Sequence, residues 1–249
     1  MIVYEFPLNE HVRTLLKLER LFQQVLHLAR QQDALSHQTA LFGLFDLIDL
    51  AARNEMRAEL QMELARMRPR NETGGQPGTN GATTEIQPCQ IDQSLTALQM
   101  LPARFDQPLR ENDWLNGVRQ RANIPGGVNG FDLPHFHHWQ HTAAAARQAD
   151  LVGWITPMLP VRQAIALVLQ RLRENGSPQA LSARQGSYQQ MLNGRDISLL
   201  RIGLPADSPL IPEASANRHT INIRFSPAGK SLCDRCEEEV EFQLRLCLP

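Results

Sequence analysis

Apolar residues recur at spacings of three and four near the start of the chain, at Leu15, Leu18, Phe22, Val25, Leu26 and Ala29. With a helical period they form one row along one side of a helix, and Asn9 stands where a capping side chain would begin it. A second run, residues 41–67, opens with LFGLFDLIDLAA and turns amphipathic through Met56, Leu60 and Leu64. Its first half is too apolar to leave more than a narrow side in water, which predicts a place in a core or at a subunit interface. Helical patterning returns over residues 91–103 and 109–121. It returns again over residues 160–174, with Pro160 near the start and Asn175-Gly176 at the end.

Beyond Gly176 the period changes to two. Ile221, Ile223 and Phe225 alternate with Asn222 and Arg224, and Val240, Phe242, Leu244 and Leu246 alternate with Glu241, Gln243 and Arg245. Such alternation predicts half-buried strands, with residues 197–204 and 187–191 as further candidates between Pro, Gly and Asn turns. A small antiparallel sheet with one apolar face follows. If the two alternating strands pair in a suitable register, Arg224 and Arg245 project together from its polar face as a ligand platform. Residues 69–87, PRNETGGQPGTNGATTEIQ, offer almost no large apolar side chain to offset their ordering entropy, and read as a flexible loop. No internal repeat or sustained heptad appears. The fold class expected is α+β.

The 249 residues are 42% hydrophobic, enough for a buried core, and the net charge is only -1 with a pI near 6.7. A near-neutral chain does not present the broad positive field that nucleic acids or anionic membranes select, so any anion recognition is local. The start, MIVYEFPLNE, lacks a basic segment followed by an apolar one, and no uninterrupted apolar run of about 18 residues follows. A cytosolic protein without membrane insertion is expected. Four cysteines in this length are too few for a disulfide scaffold. Among 25 basic residues only Lys17 and Lys230 are lysine, so the cationic chemistry is arginine's, whose planar fork suits carboxylates.

One stretch concentrates candidate chemistry. Residues 117–139, GVRQRANIPGGVNGFDLPHFHHW, gather Arg119, Arg121, His135, His137 and His138 around two loop signals, and the Gly126-Gly127 pair lets a backbone approach without an intervening Cβ. It reads as a binding surface. His137 and His141, four apart, would share a helical face, but no carboxylate follows before Asp150 and no metal site is assigned. The Cys233-Asp-Arg-Cys236 pair is half a zinc ribbon without its second half, and reads as a structural loop. No GxSxG elbow, GxxxxGK[ST] loop or GxGxxG fingerprint is present, so neither catalysis nor a cofactor is expected.

The ordered motifs carry a resemblance. Residues 4–10 (YEFPLNE) with Arg13, the VRQR of residues 118–121, the IPGG of 124–127, the FDLP of 131–134, His137-His138-Trp139 and Ile223-Arg224-Phe225 resemble the signature of the ZapD family of bacterial cell-division proteins. The resemblance implies a homodimer that binds the tubulin-like protein FtsZ through a basic pocket for its C-terminal tail. It also implies bundling of FtsZ filaments in the ring at midcell. It assigns helical dimerisation segments to residues 3–115 and 142–180, and a β-strand domain to 116–141 and 184–249. Residues matching its recognition motif are Arg13, Lys17, Arg53, His137 and Arg224, with Arg119 and Arg121 either in the pocket or tying the domains together. Asp113 and Thr220 stand where the family pattern carries arginine, with Arg110 or Arg218 close enough in sequence to compensate. The rival reading is a nucleic-acid-binding module that sets the same arginines on phosphates and stacks Trp114 or Trp139 on bases.

Overall fold

A computed structural model describes residues 1–51, 56–68, 86–102, 106–229 and 238–248. The described chain is α+β and divides into two compact units, one of residues 1–13 and 169–249 and one of residues 14–168.

The first unit is a β-sandwich. Its four-stranded antiparallel sheet runs β1 (Ile2–Pro7), β4 (Leu199–Leu204), β7 (Val240–Cys247), β2 (Gln179–Ala183), and its three-stranded sheet runs β3 (Ser187–Met191), β6 (Thr220–Pro227), β5 (Leu210–Ala216). Alternate residues of both sheets turn inward. Ile202, Phe242 and Leu244 of one meet Ile221, Ile223 and Phe225 of the other, and the Phe225 and Phe242 rings lie 5.0 Å apart. The two strands with the clearest alternation therefore do not pair. β6 and β7 lie in different sheets, because each presents its apolar face to the other rather than its backbone edge. This corrects the shared platform of Arg224 and Arg245.

Three strands were absent from the sequence reading: β1, β2 and β5. β2 and β5 carry few large apolar residues, and β5 contains Pro212; both lie at sheet edges, where a strand lacks the two-sided burial that sharpens the pattern. β1 is also an edge strand, at the very start of the chain.

The second unit is helical. Helix α1 (Glu10–Leu28) begins as expected, with the Val12 N–H donating to Asn9 Oδ1 at 2.8 Å, and buries Leu15, Leu18, Phe22 and Val25. The apolar run of residues 41–67 falls in α2 (Ala34–Ala51) and α3 (Met56–Met67). Leu41, Leu44, Leu47 and Ile48 are almost wholly excluded from water within this one chain, so the subunit's own core accounts for them. α4 (Pro88–Met100) packs on α3. The expected helix over 109–121 is two, α5 (Gln107–Arg110) and α6 (Asp113–Ala122), because Asn112 leaves the helical conformation and accepts from the Leu115 N–H at 3.0 Å as a new cap. The greater part of the 69–87 loop, and Cys233 with Cys236, lie outside the described residues.

Helix α8 (Ala144–Ile155), a 3-10 turn at Thr156–Met158 and α9 (Leu159–Glu174) form one helical stretch. By length and composition it is apolar enough to cross a membrane, with a window of mean hydropathy 1.4, which the sequence reading had not recognised. Leu151, Ile155, Met158, Val161 and Ile165 are instead buried inside the protein, which is why the stretch is apolar. Core helices pass the same test.

Cys247 is buried at the end of β7, and burial pushes its thiol above the usual range, although Arg201 and Arg245 pull the other way. Cys89 is exposed. With Cys233 and Cys236 changed to serine, a thiol-reactive reagent is expected to label Cys89 rapidly and Cys247 only after unfolding. Equal rates at both sites in the native protein would contradict the burial.

Candidate functional site

The first helix sets up a cationic row opposite its buried one. Arg13, Lys17 and Arg20 are exposed at spacings of four and three, with Gln24 and His27 continuing the row. Their spacing places them along one side of α1, as the 3.6 period requires. Arg20 and His27 were not assigned to the site from sequence, though the same periodicity would have included them. Arg13 lies 3.1 Å from Glu10, a pair whose side chains are 47% and 86% exposed. Solvent weakens that interaction, so the Arg13 guanidinium can exchange partners at small cost.

The stretch of residues 117–139 begins in helix α6 and ends in a second, shorter helix. Arg119, on α6, ion-pairs with Asp49 on α2. Its role visible here is to tie two helices of the same unit together. The neighbouring Asp46 carboxyl is held above the usual range by partial burial and by the negative charge of Asp49. Arg110 likewise pairs with the buried Asp106 and donates to Ile48 O at 3.3 Å, so it is engaged in structure. Arg121, in the last turn of α6, is exposed. Arg119→Ala is expected to cost at most about 1 kcal/mol, the range for a partly exposed ion pair. Urea unfolding checks this, and a loss above about 2 kcal/mol would mean that the pair does more than staple two helices.

The Gly126-Gly127 turn serves the chain itself. Gly126 has φ +70°, and a Cβ on Gly127 would collide with Arg121 O, while the Gly127 N–H reaches Ile124 O at 2.8 Å. The missing side chains therefore permit a tight reversal after α6.

After this turn comes α7 (Pro134–Gln140), which carries the histidines on its exposed face and Phe136 and Trp139 on its buried one. The His137 and His141 rings lie 4.4 Å apart, and His141 Nδ1 is 2.8 Å from His137 O. Trp139 is 7% exposed and packs with Trp114, Phe136 and Trp154 at ring separations of 5.6–6.1 Å, its Nε1–H donating to Asp150 at 2.9 Å. Trp139 is thus occupied in the core and not presented to a base.

Arg224 is exposed on β6, opposite Ser187 on β3 and Glu213 on β5 in register. Thr220 is on the same strand, and Arg218 is exposed in the turn before it. Of the expected set, Arg13 and Arg224 belong to the first unit and Lys17, Arg119, Arg121 and His137 to the second. Arg53 lies outside the described residues.

The family model described as "ZapD: Cell division protein" matches residues 16–224. Two curated proteins named Cell division protein ZapD are each 40% identical to this chain, one from Dechloromonas aromatica (strain RCB) over 255 residues and one from Azoarcus sp. (strain BH72) over 254. Each alignment covers 99% of both chains. A match of that length leaves no large segment of either relative without a counterpart, and on it the chain belongs to the ZapD family of cell division proteins.

Proposed function

We propose that this protein is a non-enzymatic, cytoplasmic cross-linker of FtsZ filaments, recruited to the midcell ring, that acts as a homodimer. Arg13, Lys17, His137 and Arg224, with Arg53 and Arg121 in support, are the residues proposed to contact the acidic C-terminal tail of FtsZ. The observation that carries this reading is the cationic row of α1, whose Arg13, Lys17 and Arg20 side chains are all exposed. Guanidinium forks bind carboxylates with charge-assisted hydrogen bonds, and two such grips in one dimer turn two weak contacts into a bridge between filaments.

Co-sedimentation with assembled FtsZ tests it, comparing intact FtsZ with FtsZ lacking its tail. Pelleting with the first and not the second is expected. Equal pelleting with both would move the contact to the globular domain of FtsZ, and pelleting with neither would refute the proposed partner. Because the contacts are exposed ion pairs, pelleting should also weaken as salt shortens the Debye length below its physiological value of about 8 Å.

A further inference from the structure

The polar face of the four-stranded sheet carries a cationic cluster that the proposed FtsZ contact does not use. Glu5 of β1, Arg201 of β4 and Arg245 of β7 are register partners across three adjacent strands. Like charges directly opposite each other repel, so Arg201 beside Arg245 requires compensation. Glu5 supplies part of it. It accepts from both Nε and Nη2 of Arg173 at 2.8 Å, and Arg201 Nε lies 2.9 Å away at an angle that makes an ion pair but no hydrogen bond. Arg201 and Arg245 each donate through Nη1 to Arg173 O, at 3.3 and 2.8 Å, and so face the negative end of α9.

Glu5 is thereby consumed by Arg173 and Arg201. Among the described residues Arg245 has no carboxylate partner, and its hydrogen bond goes to a neutral carbonyl. Both Arg201 and Arg245 line an open cleft of about 80 Å³ whose other walls include Met1, Val3, Pro178, Gly203 and Gln243. The Met1 side chain lies over Gly203, where a Cβ would sit 2.9 Å from Met1 Sδ and 3.4 Å from Gln243 Cβ.

We propose that this cleft binds a small carboxylate carried on an apolar stem, with Arg245 and Arg201 holding the anionic head and Val3 and Gly203 flanking the stem. The volume admits a group the size of one short side chain. The guanidinium fork suits a carboxylate head, and a phosphate dianion would be pressed against Glu5. This site lies within the first unit and does not depend on the FtsZ reading.

The test is a titration of the full chain with sodium butyrate, following arginine Nε–Hε signals by NMR, with sodium chloride at matched ionic strength as reference. Saturable shifts with butyrate alone are expected. Arg245→Gln should weaken binding by roughly tenfold or more, the loss typical of a charged hydrogen bond. Gly203→Val keeps every arginine and pushes the Met1 side chain into the cleft, and should also abolish saturation. Identical butyrate and chloride titrations would overturn the site, as would saturation unchanged in both variants. Tighter binding of inorganic phosphate than of butyrate would overturn the carboxylate assignment.

Discussion

Replacing Arg147 with alanine is expected to destabilise the helical unit by about 2–4 kcal/mol, the cost of leaving several of its hydrogen-bond acceptors without a donor. Arg147 is 5% exposed on α8, and among the described residues no carboxylate pairs with it. Its guanidinium is satisfied instead by neutral acceptors: Nε donates to His37 Nδ1 at 2.9 Å, Nη2 to Gln32 O at 2.9 Å, and Nη1 to Gln140 O at 3.1 Å and to Thr142 O. His37, itself fully buried, completes the chain through Nε2 and Gln31 O, 2.8 Å apart. For His37 to accept from Arg147 at Nδ1, its proton must sit on Nε2, which then donates to Gln31 O.

One side chain therefore ties together the turn after α1, the start of α2 and the turn after α7. Alanine would leave the buried His37 imidazole nitrogen and three partly buried carbonyls without their donor, at about 1–3 kcal/mol for each group that water cannot reach. Lysine keeps the charge but replaces a planar fork with a single ammonium, and should recover only a minor part of the loss. Urea unfolding followed by tryptophan fluorescence reports on this unit, because all three tryptophans cluster in it. A loss below about 1 kcal/mol for Arg147→Ala would show that the network is dispensable.

The second large effect concerns partner binding. The double variant Arg13→Glu, Lys17→Glu is expected to lose FtsZ pelleting by on the order of a hundredfold in apparent affinity, from two charged contacts of about 1.5–3 kcal/mol each turned repulsive. Both side chains are exposed and Arg13 holds only the weak pair with Glu10, so thermal stability should change little. That separation makes the experiment informative: intact fold with lost pelleting locates the contact on α1, whereas unchanged pelleting would remove Arg13 and Lys17 from the site. Conversely, Asp113→Arg and Thr220→Arg restore the charges that the family pattern carries, and should strengthen pelleting if those positions reach the tail.

The residues themselves determined much of this protein. Helix α1, its cap at Asn9, the burial of α2, the end of α9 before Gly176 and the strands β3, β4, β6 and β7 follow from local periodicity, which records which side of each element meets water. The ordered motifs that carry the family are equally local. The tertiary structure decided what local pattern cannot encode. Alternation marks a strand's buried face but not its edge partners, so β6 and β7, whose apolar faces meet, looked from sequence like neighbours in one sheet. A basic side chain looks the same in sequence whether it is free, as Lys17 and Arg224 are exposed, or committed, as Arg119 is to Asp49 and Arg147 to four acceptors. Its role depends on residues that are distant along the chain, from Asp49 for Arg119 to Glu5 for Arg201, and only folding brings those charges within a few ångströms of one another.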